Sequence, residues 1–79
     1  MKTKLEDLRK QIDEIDDLIV SLLAKRMETV KKVGQLKKNN NIPVLDESRW
    51  QKVIKSKKGF VKKIWKVIHD EALVVEKSV

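Results

Sequence analysis

The most informative residue of the chain is an arginine at a position where its helical pattern calls for an apolar side chain. Apolar residues recur at alternating steps of three and four, in the register Leu5, Leu8, Ile12, Ile15, Ile19, Leu22. Arg26 follows in this register, and Val33 and Leu36 resume it further on. A buried cation is costly unless an anion meets it. The pattern therefore predicts either a carboxylate that pairs with Arg26, such as Glu71 or Glu76, or a site for an anionic ligand.

Two further cations on the same helix could act together with Arg26. Lys37 follows Arg26 at nearly three whole turns, so both side chains lie on one face, about 16 Å apart along the axis. Arg9 lies beside the same stripe but about 25 Å before Arg26, too far to share a small ligand within one chain. In an antiparallel pair of these helices, Arg9 of one chain approaches the Arg26–Lys37 region of the other. Two arginines and a lysine suit a small dicarboxylate, because an arginine can bind a carboxylate through two parallel hydrogen bonds.

Each of these cations, and the other polar residues, also has an ordinary interpretation. Lys37 near a helix C-terminus complements the helix dipole, and Arg9 could pair with Asp13 four residues on. Four acidic residues lie close together on the first predicted helix, and we interpret them as a solvated face rather than a metal site: Asp13, Glu14, Asp16 and Asp17. His69 has no second histidine and no cysteine to complete a metal site, so we interpret it as structural.

The charge is distributed unevenly along the chain. Residues 1–23 carry four of the 19 cations and six of the 12 acids, so the excess of positive charge lies in residues 24–79. The lysines between residues 52 and 66 are interpreted as a solvated face. Nucleic acid is not the expected partner, because no known binding motif accompanies them.

The composition restricts the fold class and the cellular setting. The 79 residues include 39% charged and 4% aromatic residues, with two glycines, one proline and no cysteine. This is typical of a helical bundle, and the length allows one small domain, residues 1–79. Disulfides and thiolate metal sites are excluded. No apolar run is long enough to cross a membrane, and the N-terminus lacks the apolar stretch of a signal peptide, so we expect a cytoplasmic protein.

The first predicted helix is too long for a single small domain. Thr3 and Glu6 form a capping box at its start, and the apolar register continues to Leu36 before Asn39-Asn40-Asn41 and Pro43 end it. Its stripe is about 50 Å long. The residues after Pro43 are too few to cover it, so we expect a homodimer with two-fold symmetry.

Two shorter helices complete the predicted all-α fold of long, short and medium helices. Asp46 is a suitable N-cap for the second, over about residues 47–58, and Gly59 a suitable C-terminal stop. The third helix follows almost at once. Its expected buried face consists of Val61, Ile64, Trp65, Ile68, Ala72 and Val75.

Apolar and polar positions at fixed separations match one known family in order and spacing. They read Leu8-Arg9-x-x-Ile12-Asp13-x-Ile15-Asp16-x-x-Ile19-x-x-Leu22-Leu23-x-x-Arg26, then Val33-Gly34-x-x-Lys37, then Ile42-Pro43-Val44-x-Asp46-x-x-Arg49. This set resembles the first helix and the start of the second helix of the all-helical chorismate mutases. The agreement is looser over the third helix, around Asp70-Glu71-Ala72-Leu73. The resemblance implies an intertwined homodimer of three-helix chains.

The resemblance also implies an activity and a role for each matching residue. The activity is conversion of chorismate to prephenate by a Claisen rearrangement, a step toward phenylalanine and tyrosine, with no cofactor and no metal. Arg26 and Arg9 of the partner subunit would bind the two substrate carboxylates. Lys37 would contact a carboxylate and donate to the ether oxygen, where negative charge develops. Asp46 would help bind the substrate near its hydroxyl group, and Arg49 would add positive potential.

Glu76 stands where the family has a glutamine or glutamate directed at the ether oxygen. A carboxylate would repel the developing charge, so Glu76 must be protonated to help, and activity is predicted to fall as the pH rises through its titration. Two positions depart from the family pattern: Trp50 replaces a common glutamate, and Ala72 replaces a common serine. The connection between the second and third helices is also shorter.

Alternative functions remain open from the sequence. Relatives of the same fold include isochorismate pyruvate lyases and 4-amino-4-deoxychorismate mutases, and the same cations would serve all three substrates. An alternative of another class is a basic coiled-coil module that binds a partner without catalysis.

Overall fold

A computed structural model describes residues 3–79 and contains three α-helices. α1 spans Lys4–Asn39, α2 spans Glu47–Ser56 and α3 spans Phe60–Lys77. No strand occurs in this part of the chain. The predicted all-α class, with helices in the order long, short and medium, is therefore confirmed. None of the helices over residues 3–79 combines the length and the apolar character of a membrane span.

α1 begins and ends where local sequence signals place it. Thr3 Oγ1 accepts a hydrogen bond from the backbone N–H of Glu6 at 3.1 Å, and the Glu6 carboxylate accepts one from the Thr3 N–H. This is the predicted capping box. At the other end, the Asn40 N–H donates to the Leu36 carbonyl, and Asn41 adopts the left-handed conformation with φ 54°. Asparagine enters this region more readily than most residues, so the asparagine triplet ends the helix.

The turn between α2 and α3 differs from the prediction. α2 ends at Ser56 rather than near residue 58, because Lys57 leaves the helix in an extended conformation. The Lys57 ammonium lies 4.4 Å from the centre of the Trp65 ring, a cation–π contact that ties the turn to α3. Gly59 is not the stop of α2; it directly precedes α3, with φ 60° and ψ −142°. A residue with a Cβ is strained in that conformation, which explains glycine here.

α3 crosses the C-terminal half of α1 at a glycine. Gly34 is the buried residue of α1, and Ile68 and Ala72 are buried on α3. A glycine inside a helix costs about 1 kcal/mol relative to alanine, so its place here follows from the close crossing rather than from helix propensity. The predicted buried face of α3 needs one correction, since Ile64 is 44% exposed. Glu76, one turn beyond Ala72, is buried on that face instead.

The N-terminal half of α1 extends beyond the other two helices. The described residues measure 60 × 25 × 14 Å overall. The apolar stripe of this half is roughly half exposed at every position: Leu5, Leu8, Ile12, Ile15, Ile19 and Leu22. A continuous apolar stripe of this kind marks an interaction surface. The single chain therefore leaves uncovered the stripe that the sequence assigned to a partner chain.

Candidate active site

The three helices surround a cleft of about 360 Å³ beside the crossing of α1 and α3. Five of the six predicted site residues line it: Arg26, Lys37, Asp46, Arg49 and Glu76. Arg9 does not, because it lies almost five turns before Arg26 on the exposed half of α1. The volume is within the range of small-molecule sites. The fold therefore brings residues from all three helices to one cleft.

Lys37 on α1 contacts both the connection between α1 and α2 and helix α3. Its ammonium donates a hydrogen bond to the Val44 carbonyl at 2.6 Å, which holds the connection between α1 and α2. It also lies 2.7 Å from Oε1 of Glu76 on α3. Both side chains are largely buried, at 17% and 9% exposure. An ammonium has three N–H donors and one points to the Val44 carbonyl, so donors remain for Glu76 and for a ligand in the cleft.

The Glu76 carboxylate depends on this cation. Its buried Oε1 accepts no well-aligned hydrogen bond from any described residue, so the contact with Lys37 is an ion pair without hydrogen-bond geometry. A carboxylate buried in this way is stabilised mainly by the adjacent charge. Lys37 and Glu76 are therefore coupled, and a change in one changes the surroundings of the other.

Arg26 lies in the cleft wall without an anionic partner. Its side chain is half-buried, and the buried Nη1 has no hydrogen-bond partner within residues 3–79. No salt bridge joins it to Glu71 or Glu76, since Glu76 pairs with Lys37. The interpretation in which one of these carboxylates answers Arg26 is therefore wrong. A buried donor without a partner is costly, so Nη1 is available to an acceptor from outside residues 3–79.

Asp46 and Arg49 lie at the exposed rim of the cleft, at the start of α2. Asp46 is the predicted N-cap, and its Oδ1 accepts the backbone N–H of Arg49 at 3.0 Å. This hydrogen bond fixes the carboxylate at the first turn and leaves the second oxygen for a ligand. Arg49 follows by three residues, so its guanidinium faces the same cleft. The alternative interpretation of Arg9, a surface pair with Asp13, is not formed in the described chain.

Sequence reasoning did not place His69 in the site, but it stacks on Trp50 in one wall of the cleft. The ring centroids are 3.7 Å apart and the planes are inclined by 10°. Both residues line the cleft, as does Ala72. The spacing of α3 contained a signal for this: His69, Ala72 and Glu76 follow one another at steps of three and four, so they share one helix face. His69 therefore forms part of the cleft wall together with Trp50.

The charges of the cleft favour an anion. Arg26, Lys37 and Arg49 outnumber Asp46 and Glu76, so one chain contributes an excess of positive charge. Among residues 3–79, no group of three or more histidine, aspartate or glutamate side chains could hold a metal ion. The polar groups thus suit a small organic anion bound by arginine and lysine.

Known proteins share this architecture. The family model of chorismate mutase type II matches residues 8–77. A chorismate mutase from Methanocaldococcus jannaschii is 43% identical over 49 residues, which are 62% of this chain and 50% of that protein. A bifunctional chorismate mutase/prephenate dehydratase from Aquifex aeolicus is 33% identical over 72 residues, 90% of this chain and 20% of that protein. A solved structure of a conserved hypothetical protein from Pyrococcus furiosus superposes with a TM-score of 0.88 at 37% identity, covering 96% of this chain and 99% of that one.

Fold and cleft together define a small all-helical protein with a cationic site between its three helices. The match over residues 8–77 shows that the chain belongs to the chorismate mutase type II family. The family resemblance seen in the sequence is thereby confirmed. The chain spans half the length of the Methanocaldococcus protein that it matches and a fifth of the Aquifex protein.

Proposed function

We propose that this chain is a chorismate mutase, an isomerase that rearranges chorismate to prephenate. The observation that carries the proposal is the Arg26 guanidinium, which lies in the cleft wall with a buried donor and no protein partner within residues 3–79. Family membership supports the same substrate. We place the reaction in the cytoplasm, in a single domain of residues 1–79.

The substrate is a dianion, and the cleft offers a separate cation for each carboxylate. Arg26 binds one carboxylate through two parallel N–H donors, which fixes its orientation as well as its position. Arg9 of the partner subunit binds the other. Lys37 keeps its contacts with Val44 and Glu76 and directs its remaining donor into the cleft. Arg49 at the rim attracts the dianion, and Asp46 accepts from the substrate hydroxyl with its free oxygen.

The rearrangement needs no group from the protein to form a bond. One carbon–oxygen ether bond breaks and one carbon–carbon bond forms within the substrate, and every atom is retained. The protein therefore contributes by holding the compact conformer in which the two reacting ends meet. It also contributes donors at the ether oxygen, where negative charge develops as the bond breaks. Lys37 supplies one donor. Glu76, which is the ionised partner of Lys37 in the free chain, supplies the other only after it takes up a proton.

A homodimer completes the site in this proposal. The exposed stripe of α1 from Leu5 to Leu22 supports an α1–α1 contact, because burial of this apolar surface between two chains stabilises the dimer. The uneven charge supports an antiparallel arrangement, because the acidic N-terminal half of each α1 then faces the basic C-terminal half of the other. In this arrangement Arg9 of the partner subunit reaches the cleft, whereas the Arg9 of the same chain lies too far along α1 to do so.

The activity is tested by incubating the purified chain with chorismate and, separately, with isochorismate, and by identifying the products chromatographically. We expect prephenate from chorismate. We expect Arg26→Ala to abolish this turnover, while Lys25→Ala, an exposed neighbour outside the cleft, leaves it unchanged. Salicylate and pyruvate from isochorismate, with chorismate untouched, would instead establish a lyase of the same fold. A folded protein that consumes neither substrate would contradict the proposal.

The shared site is tested by mixing two inactive variants, Arg9→Ala and Arg26→Ala. In a mixed dimer, one cleft receives Arg26 and Arg9 from the two unaltered positions, and the other cleft lacks both. Random pairing after joint refolding should therefore restore about a quarter of the wild-type turnover. Mixing without refolding serves as the control for slow subunit exchange. No recovery after refolding would contradict an Arg9 contribution across the interface.

A further inference from the structure

The closest approach between α1 and α3 involves Gly34 and the backbone of Glu76. A Cβ added to Gly34 would lie 2.9 Å from the Glu76 Cα and 3.1 Å from the Glu76 carbonyl oxygen. It would also lie 2.8 Å from Cγ2 of Val79. The Val79 methyl group can rotate away, but the two backbone atoms of Glu76 move only if α3 moves. The absence of a side chain at Gly34 therefore sets the distance between the two helices.

The same two helices hold the ion pair of the cleft. Lys37 follows Gly34 by three residues, so it lies on nearly the same face of α1, about 4.5 Å further along the axis. Its ammonium is 2.7 Å from the carboxylate of Glu76, the residue whose backbone touches Gly34. One residue of α3 thus meets α1 twice, through its backbone at Gly34 and through its side chain at Lys37. The backbone contact at Gly34 therefore determines how closely the Glu76 side chain approaches Lys37.

We infer that Gly34 is a positioning residue for the reaction, which keeps the Glu76 carboxyl group in register with Lys37 at the ether oxygen. This inference rests on the proposed function for its catalytic consequence, but the geometric part stands without it. Gly34 does not line the cleft and touches no reacting atom. It acts only through the placement of α3.

Gly34→Ala is expected to displace the Glu76 backbone by a small distance that is still sufficient to lower the rate. Carbon atoms in contact are separated by about 3.5–4.0 Å, so an alanine at Gly34 has to displace the Glu76 backbone by roughly 0.5–1 Å. A misplacement of about 1 Å in an active site lowers the rate by up to about 100-fold. Because Glu76 acts on charge that develops only in the transition state, the loss should fall on kcat rather than on KM.

The experiment compares three variants: Gly34→Ala, Glu76→Ala and the double variant that carries both substitutions. We expect Gly34→Ala to lower kcat about 10–100-fold with KM nearly unchanged. In the Glu76→Ala background the same substitution should cost less than about twofold, since the group that Gly34 positions is already absent. Losses that multiply in the double variant, or an unchanged kcat of Gly34→Ala, would overturn the inference.

Gly59→Ala is the matched control for destabilisation. A Cβ at Gly59 meets no atom within 4 Å, but its φ of 60° makes alanine strained there. This variant therefore loses stability without crowding α1 against α3, and its turnover should be unchanged at a temperature where it is folded. An equal fall in kcat for Gly59→Ala would show that general destabilisation explains the Gly34→Ala result, and the inference would fail.

Two further measurements apply if Gly34→Ala does not fold or if the wild-type chain is inactive. If Gly34→Ala does not fold, Glu76→Asp withdraws the carboxyl group from Lys37 with the crossing intact, and full kcat for that variant would overturn the positioning role. If the wild-type chain does not convert chorismate, the proposed function fails separately, and carboxyl ¹³C NMR decides. Lys37→Met should change the chemical shift of the Glu76 carboxyl carbon clearly in the Gly34 chain and much less in the Gly34→Ala chain. Equal changes in both would overturn the inference.

Discussion

Arg26→Leu should give a protein that is more stable and at the same time inactive. The arginine occupies an apolar position of the α1 register, and its buried Nη1 has no hydrogen-bond partner in the described chain. A buried donor without a partner costs about 1–3 kcal/mol, and leucine removes that cost. Leucine also restores the apolar register, so the two effects act in the same direction.

The gain in stability and the loss of activity have different physical origins. In a domain of this size, each kcal/mol changes Tm by about 4–8 °C, so a gain of about 1–3 kcal/mol should raise the Tm of Arg26→Leu by about 4–24 °C. A bidentate arginine–carboxylate contact contains two charged hydrogen bonds of about 1.5–3 kcal/mol each. Their loss should lower kcat/KM about 10²–10⁴-fold.

Thermal unfolding and chorismate consumption measure the two quantities. Unfolding is followed by circular dichroism at one fixed chain concentration, because Tm of an oligomer depends on concentration. Arg26→Lys keeps the charge but loses the planar pair of donors, so its turnover should be intermediate. Lys25→Leu, on the adjacent exposed position, should leave turnover unchanged. An Arg26→Leu protein that unfolds at a lower temperature than the wild type, or that keeps its turnover, would refute this reasoning.

Three other substitutions test the ion pair, the protonation of Glu76 and the exposed stripe. Lys37→Met leaves the buried Glu76 carboxylate without its cation and should cost about 3 kcal/mol of unfolding free energy in denaturant titrations; a loss that persists in full when Glu76→Gln is added would contradict the ion-pair explanation. Glu76→Gln should abolish the fall in kcat/KM with rising pH, because a glutamine donates at every pH; a profile like that of the parent would count against a protonated Glu76. Ile15→Asp places a charge on the stripe at a position that is 54% exposed in one chain; we expect monomeric or unfolded protein by sedimentation, and an unchanged mass would exclude this stripe as the dimer contact.

Local signals in the sequence predicted α1 well. Its start depends on Thr3 and Glu6, three residues apart, and its end on the asparagine triplet, so neighbouring residues settle both ends. The α2–α3 turn was less predictable. Gly59 follows two lysines and fits a helix stop, but α2 already ends at Ser56, where Lys57 leaves the helix and contacts Trp65. That contact belongs to tertiary structure and has no local pattern.

The site was predictable as a set of residues and less predictable as a geometry. The apolar register identified Arg26 as exceptional, and the family pattern pointed to Lys37 and Glu76. Neither could show that these last two pair with each other, because the distance between helices does not follow from the periodicity within a helix. The same limit applies to the stack of Trp50 and His69, two residues that lie 19 positions apart in the sequence and belong to different helices.

The stack of Trp50 on His69 gives the cleft an intrinsic fluorescence signal. Trp50 lies in the cleft wall against an imidazole, whereas Trp65 lies outside the cleft beside the Lys57 ammonium. A ligand that enters the cleft changes the surroundings of the first indole and leaves those of the second unchanged. Intrinsic fluorescence of a Trp65→Phe protein therefore isolates the cleft signal. It allows binding to be followed without turnover, for unreactive dicarboxylates as well as for substrates.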